Sequence, residues 1–354
     1  MNRIVWILLF ASLLFTANIT CRASGTEPEK EEINVSEIIF SHTGDAYEWH
    51  IITLGKRHIN IPLPIIVYSK YSKFNVFMSS ELHHHDSYKN FTYGSKDGKY
   101  PNKIVEITES GEEYRPFDLS ITKNVVGIFI VAIILLLSVF TVVRWYKRNE
   151  YEAPRGFRGA IDLLIMNIHD DLIKNSVGPN YRKFAPYLLT VFFFIFISNL
   201  TGLIPVFPGG INLTGNIAIT FTLAMFTFII VNVFGTKEYW KEIFWPDTPV
   251  FLKVPIPIMP LIELFGIFSK PFALLIRLFA NILAGHSAIL GLCCLVFITA
   301  SMGAAVNAGM SFVAIFFMIF MNVLELLIAF IQAYVFTLLS GVFIGLAQVQ
   351  PHKH

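Results

Sequence analysis

The hydrophobic and polar positions divide the chain into a short apolar segment, a polar stretch with short-period alternation, and a long, mostly apolar remainder. Five segments of that remainder are long enough to cross a bilayer, which takes about 20 apolar residues. The predicted spans are residues 124–143, 186–206, 216–234, 256–300 and 309–348. The pattern therefore predicts an all-α polytopic membrane domain over residues 121–354, preceded by a small β-rich extracytoplasmic region.

The last two predicted spans are far longer than one crossing requires, so each is either broken into pieces or a strongly tilted helix. Pro255, Pro257 and Pro260 favour a break before Leu261, and Pro271 favours a kink inside the first of the two segments. Tilt accommodates the remaining length. We expect the two segments to form an antiparallel hairpin.

The segment from about residue 158 to residue 177 has apolar residues at helical spacing among charged ones. This pattern indicates an amphipathic helix lying on the cytoplasmic surface of the membrane.

The first 24 residues resemble a secretory signal peptide, with Arg3 before an apolar core and small or polar residues after it. Two alternatives remain open. Cys21 could be lipidated, although the residues before it are not those of a lipoprotein cleavage site, and the segment could be retained as a first membrane helix. Cleavage would leave the mature N-terminus outside the cytoplasm.

Residues 25–120 contain short alternating runs separated by turn-forming stretches, which predict the β-rich extracytoplasmic region. Within it, His83, His84, His85 and Asp86 include metal-ligating side chains. Consecutive residues of a strand point in opposite directions, unlike the i, i+4 histidines of a helical zinc site. We interpret this run as a solvated loop and expect neither a metal site nor a cofactor.

Charged residues make up only 15% of the chain, against about 25% in soluble domains, which supports an integral membrane protein. Basic residues cluster in the loops on one side of the predicted spans, while the two connectors on the other side are uncharged. The positive-inside rule then puts the N-terminus outside and the C-terminus in the cytoplasm. The basic clusters suggest no nucleic acid. Cys293 and Cys294 lie within an apolar run and indicate no disulfide framework.

One apolar segment nevertheless carries several ionisable and amide side chains. An arginine at membrane depth costs about 2.5–3.5 kcal/mol by insertion scales and stays protonated, so Arg277 is a candidate for an ion path. Glu263, Lys270 and Arg277 recur every seven residues and so form one slowly drifting helical stripe. Asn281 extends that stripe, whereas His286 lies about 180° away from Arg277.

The final segment supplies partners for these side chains. Glu325 and Gln332 are seven residues apart and share a face. In an antiparallel hairpin, paired positions have nearly constant sums of residue numbers, and a single register brings together Arg277 with Gln332 and His286 with Glu325. A histidine beside a buried glutamate can exchange a proton near neutral pH, whereas the alternative is ordinary hydrogen bonding between helices. Asn199, in an earlier span, either lines the path or merely forms hydrogen bonds.

The segment LIELFGIFSKPFALLIRLFANILAGH, with VLELLIAFIQAYVFTLLSGVF after it and SNLTGLIP before it, closely resembles subunit a of the F-type ATP synthase. The resemblance covers roughly residues 120–350 and leaves the β-rich region unassigned. It implies that Arg277 faces a rotating ring of c subunits and releases their protons. It also implies that Asn281, His286, Glu325 and Gln332 line the path from outside, and that Glu263 and Lys270 lie toward the cytoplasmic exit. Some relatives carry the acid and the histidine in exchanged positions.

The resemblance further implies a stator subunit that translocates protons through two half-channels and has no catalytic activity of its own. The partners that it implies are the c-ring, a b-type peripheral stalk, the soluble nucleotide-binding head and the lipid bilayer, in a bacterial inner membrane. A secondary ion-coupled transporter is the alternative, but the sequence has neither internal repeats nor matching broken helices. An intramembrane metalloprotease would need a His-Glu-x-x-His helix, which is absent from the sequence.

Overall fold

A computed structural model describes residues 44–54, 57–84, 87–95, 98–108, 111–149, 152–204, 210–245 and 258–348. Several sequence predictions concern residues outside this part of the chain. They are the signal segment, Cys21, His85 with Asp86, the break at Pro255 and Pro257, and the C-terminal tail.

The β-rich region predicted before the membrane domain is confirmed. It consists of three small antiparallel sheets, in the strand orders β1-β2, β4-β3-β8 and β5-β6-β7. A one-turn helix, α1 (Ser80–His84), follows β4. The strands are β1 Glu48–Leu54, β2 Arg57–Pro62, β3 Pro64–Ser69, β4 Lys73–Met78, β5 Phe91–Tyr93, β6 Ile104–Ile107, β7 Glu113–Tyr114 and β8 Phe117–Asp118.

Alternation along these strands builds a separate hydrophobic core. Ile65 and Val67 of β3 point to the same side and are fully buried with Phe77, Phe91 and Ile104. Buried polar groups in this region are hydrogen-bonded: the carboxylate of Glu106, 2% exposed, accepts hydrogen bonds from the hydroxyls of Ser69 and Ser72. The region therefore has a core and a polar network of its own.

The remainder is helical, as the apolar pattern predicts. Within the described residues, four helices are long and apolar enough to cross a membrane, and a fifth span results if α6 and α7, bent by 99° at their junction, are taken together. The helices are α2 Lys123–Tyr146, α3 Phe157–Asn167, α4 Lys174–Val177, α5 Tyr181–Leu203, α6 Ile217–Val233, α7 Lys237–Phe244, α8 Ile258–Thr299 and α9 Ala304–Ala347. The polytopic all-α fold class is thus confirmed.

The two long segments are single helices over their described lengths. Helix α8 has 42 residues and continues through Pro271, and α9 has 44 residues. At 1.5 Å per residue each extends over about 60 Å, roughly twice the hydrocarbon thickness of a bilayer, which favours tilt over a break. A 3₁₀ turn at Ala300–Met302 and Gly303, at φ 109°, join them. Glycine suits this position because L side chains rarely adopt such a φ.

The segment predicted as an amphipathic surface helix is helical, with a π-helical turn at Ile168–Ile173 between α3 and α4. Its buried residues join α5, α8 and α9 in the main hydrophobic core. Gly341 and Gly345 of α9 allow this close approach, because a Cβ at Gly345 would lie 2.3 Å from the carbonyl oxygen of Ser176. The segment from α3 to α4 is thereby packed directly against the end of α9.

Candidate functional site

A histidine and a glutamate meet between the two long helices. His286 Nδ1 on α8 lies 2.5 Å from Glu325 Oε1 on α9, and Glu325 is 3% exposed. Gly285 makes this approach possible, since a Cβ there would already lie 3.1 Å from the same carboxylate oxygen. The antiparallel register inferred from the sequence therefore does bring His286 and Glu325 into contact.

The Glu325 carboxylate retains unused hydrogen-bonding capacity. Its Oε2 is buried and has no hydrogen-bond partner among the residues that the structure describes. A buried carboxylate oxygen without a partner is costly, so a water suits this position. Ser198 on α5 carries another buried hydroxyl without a partner in the described part of the chain. Both groups are buried polar atoms inside an apolar helix bundle.

The C-terminal end of α5 completes the surroundings of His286. A Cβ on Gly202 would lie 3.3 Å from His286 Nε2 and equally close to the carbonyl oxygen of Ile211. One turn earlier, Asn199 Nδ2 donates to the Ala329 carbonyl oxygen (3.2 Å), and Thr214 Oγ1 donates to Asn199 Oδ1 (2.5 Å). Asn199 thus forms buried hydrogen bonds between α5, α9 and the connector after α5. Gly202 and Thr214 were missed by the sequence reasoning, because short-range spacing does not reveal a partner from a distant loop.

Arg277 and Asn281 lie on the opposite side of α8. Both are exposed, and among the described residues Arg277 forms no ion pair and no hydrogen bond. The neighbouring exposed positions on this face are small: Ala273, Ala280, Ala284 and Ala288. Small residues permit close approach of another helix within a membrane. The division of polar residues between two faces, expected from helical angles, agrees with these exposures.

The predicted pairing of Arg277 with Gln332 is not seen. Gln332 is 7% exposed, and no hydrogen bond joins it to the exposed Arg277. The reason is rotational. His286 occupies the side of α8 that meets α9, and Arg277 is about half a turn away from it. A register that pairs His286 with Glu325 therefore turns Arg277 away from α9.

Glu263 and Lys270 lie toward the beginning of α8, and both are half-buried. Lys270 Nζ lies 5.9 Å from the ring centroid of Phe343 on α9. It also lines a cavity of about 20 Å³ with Tyr239 and Asn232, enough volume for a single water. Asn232 Oδ1 is buried there without a hydrogen-bond partner in the described residues. This end of the helix therefore has a small cavity with polar groups in its lining, which His286 and Glu325 do not line.

A series of hydroxyl contacts between three helices was not predicted from the sequence. Tyr187 Oη lies 2.9 Å from Thr227 Oγ1, which in turn lies 3.3 Å from Ser340 Oγ, so that hydroxyls of α5, α6 and α9 meet. Thr227 and Ser340 are fully buried within apolar spans. A buried hydroxyl between two helices contributes a modest stabilisation and requires no ion path.

These features define a class of protein. A bundle of membrane helices with a buried His–Glu pair, an arginine at membrane depth and a small polar-lined cavity is typical of proteins that move ions across a membrane. Residues 125–345 match the family described as ATP synthase A chain. Since the match covers more than half of the chain, the chain belongs to the ATP synthase A chain family.

Curated relatives agree with this assignment. The ATP synthase subunit a 2 of Chlorobaculum tepidum is 43% identical over 265 residues, which cover 72% of each chain. The subunit a of Chlorobium phaeobacteroides is 42% identical over 238 residues, covering 65% of this chain and 66% of its own. The subunit a of Myxococcus xanthus is 37% identical over 300 residues, which cover 81% of this chain and 92% of the Myxococcus chain. Residues 38–121 match a different family, described as a domain of unknown function (DUF8433).

Proposed function

We propose that this chain moves protons through two half-channels that meet at Arg277, with the His286–Glu325 pair on the inlet side. Membership of its family makes the chain the proton-translocating stator subunit of an F-type ATP synthase. It is a multi-pass membrane protein and one component of a rotary complex. The observation that carries the proposal is the split of the polar residues of α8 between an exposed Arg277 face and a buried His286 face.

The inlet begins at the outer ends of α5 and α8. His286 and Glu325 are close enough to pass a proton, and histidine changes its charge near physiological pH. Glu325 Oε2 and the Ser198 hydroxyl, both buried and unpartnered in the described chain, suit water molecules that relay the proton. Asn281 and Gln332 then extend the polar path toward Arg277. Asn199 lines its outer part.

We assign the exposed Arg277 face to the c-ring, with which the chain would assemble together with a b-type peripheral stalk and the nucleotide-binding head. A ring carboxyl that faces lipid stays protonated, because burial disfavours its charged form. Opposite Arg277, the guanidinium stabilises the charged carboxylate of the ring, so the carboxyl group releases its proton. The small side chains around Arg277 support this role, because they let a ring helix approach.

The outlet lies at the other end of α8. Glu263, Lys270 and the water-sized cavity beside Tyr239 give a released proton polar surroundings toward the cytoplasm. The permanent charge of Arg277 between the half-channels opposes direct leakage of a cation. A proton therefore crosses the membrane only when it is carried on a ring carboxyl from one half-channel to the other. This transfer requires the ring to rotate. The basic loops favour this orientation, with the N-terminus outside and the C-terminus inside a bacterial inner membrane. In this scheme the chain has no catalytic activity of its own.

The proposal is tested by Arg277→Ala in membrane vesicles that carry the assembled complex. Without the cation, release of the ring proton loses several kcal/mol of stabilisation, and each 1.36 kcal/mol is a factor of ten. We expect proton-driven ATP synthesis to fall at least about 100-fold. Asn322→Ala is the control, since Asn322 is exposed on α9 and its amide bonds only to the Met318 carbonyl oxygen of its own helix. Synthesis at the wild-type rate in the Arg277 variant would refute the assigned role.

A further inference from the structure

The outer β-rich region contacts the connector that closes the outer end of the inlet. Trp49 of β1 is 4% exposed and belongs to one buried cluster with Val131 of α2, Ile211 and Leu213. Ile211 and Leu213 lie in the connector 210–216, which leads from α5 into α6. A tryptophan is the largest apolar side chain, and burying it in one cluster with two connector residues stabilises their position.

The same connector contacts residues around the His286 site on its other side. Thr214 donates its hydroxyl hydrogen to Asn199, and Gly210 N donates to the Thr201 carbonyl oxygen at 3.1 Å. The Ile211 carbonyl oxygen and His286 Nε2 lie on the two sides of the space beside Gly202. A shift of the connector by an ångström would therefore open or fill the space next to His286.

The β-rich region is itself fixed to the first membrane helix. Lys123 N donates to the Ala46 carbonyl oxygen (2.9 Å), and Asn124 N donates to Asp45 Oδ1 (3.1 Å), so the segment just before Trp49 caps the start of α2. On the next turn, Gly127 leaves room for the side chains of Ile211 and Leu213, which a Cβ there would meet at 2.9–3.1 Å. Trp49, α2 and the connector thus pack as one unit.

We propose that Trp49 is a positioning residue for proton transfer: through it, the outer β-rich region clamps connector 210–216 over the His286 side of the inlet. The clamp keeps water from reaching His286 by any route except the polar path. This inference rests on the proposed function for its consequence, but the clamp itself is measurable without any transport assay. It gives the unassigned region at residues 38–121 a task in the complex.

The test compares Trp49→Ala and Trp49→Phe in the purified whole complex. Backbone hydrogen exchange is measured in connector 210–216, where Gly215 N donates to Asn212 Oδ1 at 2.8 Å. Trp49→Ala should accelerate exchange there at least about tenfold, because truncating a buried tryptophan loosens its contacts, while Trp49→Phe should stay near wild type. Phe74→Ala, at a position 63% exposed on β4 of the same region, is the control and should change nothing.

The functional readout is the number of protons pumped per ATP hydrolysed by the reconstituted complex, which does not depend on how much complex assembles. We expect a lower ratio for Trp49→Ala and a restored ratio for Trp49→Phe. Leu213→Ala truncates the connector's side of the same cluster and should also give faster exchange and a lower ratio. The test therefore still works if the Trp49→Ala complex assembles poorly. Unchanged exchange would overturn the clamp, and faster exchange with an unchanged ratio would overturn its role in transport. A wild-type complex that pumps no protons would instead contradict the proposed function.

Discussion

Gly285 is the position where the smallest change should disturb the His–Glu pair most directly. A methyl group added there would lie 3.1 Å from Glu325 Oε1 and 3.3 Å from its carboxyl carbon, closer than the 3.4–4 Å of ordinary contact. The carboxylate cannot retreat toward solvent because Glu325 is 3% exposed, and the same Oε1 already lies 2.5 Å from His286 Nδ1. Gly285→Ala should therefore push Glu325 off His286.

The expected magnitude follows from two opposing effects. Replacing a glycine by alanine within a helix stabilises it by up to about 1 kcal/mol, whereas overpacking a buried site costs about 1–3 kcal/mol. Gly291, on the same helix, has nothing within 4 Å of its added Cβ and supplies a control with only the first effect. If this steric strain of about 1–3 kcal/mol appears in the proton-transfer step, each 1.4 kcal/mol is a factor of ten, and transport should fall roughly five- to 140-fold.

The assay is ATP-driven proton pumping in inverted membrane vesicles, scaled to the amount of the chain in the membrane. Gly285→Ala should pump slowly at a normal protein level, and Gly291→Ala should match wild type. Equal pumping by the two variants would refute the reasoning, because it would mean that the carboxylate can move without consequence. A low level of the Gly285 variant protein would indicate a packing defect instead of a transport defect, and scaling separates the two.

Two further predictions follow from other contacts. Exchanging the pair by combining His286→Glu with Glu325→His should preserve more proton-driven ATP synthesis than either His286→Ala or Glu325→Ala, and equal damage in all three would argue against a functional pair. In the outer region, burial and the hydrogen bond to Asp118 raise the pKa of Tyr47 above its ordinary value of 10.0, so its neutral form stabilises the fold below about pH 10 and this contribution is lost as the pH rises further. The protease resistance of the region should therefore exceed that of Tyr47→Phe at pH 8, and the difference should begin to shrink only above about pH 10, as the pH approaches the raised pKa of Tyr47; a constant difference would contradict this.

Much of the membrane fold follows from the sequence because lipid imposes a simple rule on it. Apolar length predicts the long helices, and the five predicted segments differ from α2, α5, α6, α8 and α9 by a few residues at their ends. The choice between broken and tilted helices needed the structure, since Pro271 is compatible with both. The strands of the outer region were visible as alternation, whereas their pairing into three separate sheets was not.

The candidate site was predictable where two residues lie on regular helices and unpredictable where a loop takes part. The contact of His286 with Glu325 follows from helical periodicity and antiparallel register. The constant sum of residue numbers failed for Arg277 and Gln332. It predicts which residues lie at the same height along the hairpin, but not how each helix is rotated about its axis. The contributions of Gly202, Thr214 and Trp49 depend on long-range packing, which no spacing rule contains.

The central claim is that the Arg277 face of α8 meets the ring of c subunits, and crosslinking tests it most directly. A photoactivatable residue at Ala284, exposed on that face, is compared with one at Leu137, which is 60% exposed on α2. In the assembled complex we predict that mass spectrometry finds ring subunits crosslinked to position 284 and none crosslinked to position 137. Absence of a ring product from position 284, in a complex that still couples proton flow to ATP synthesis, would contradict the account.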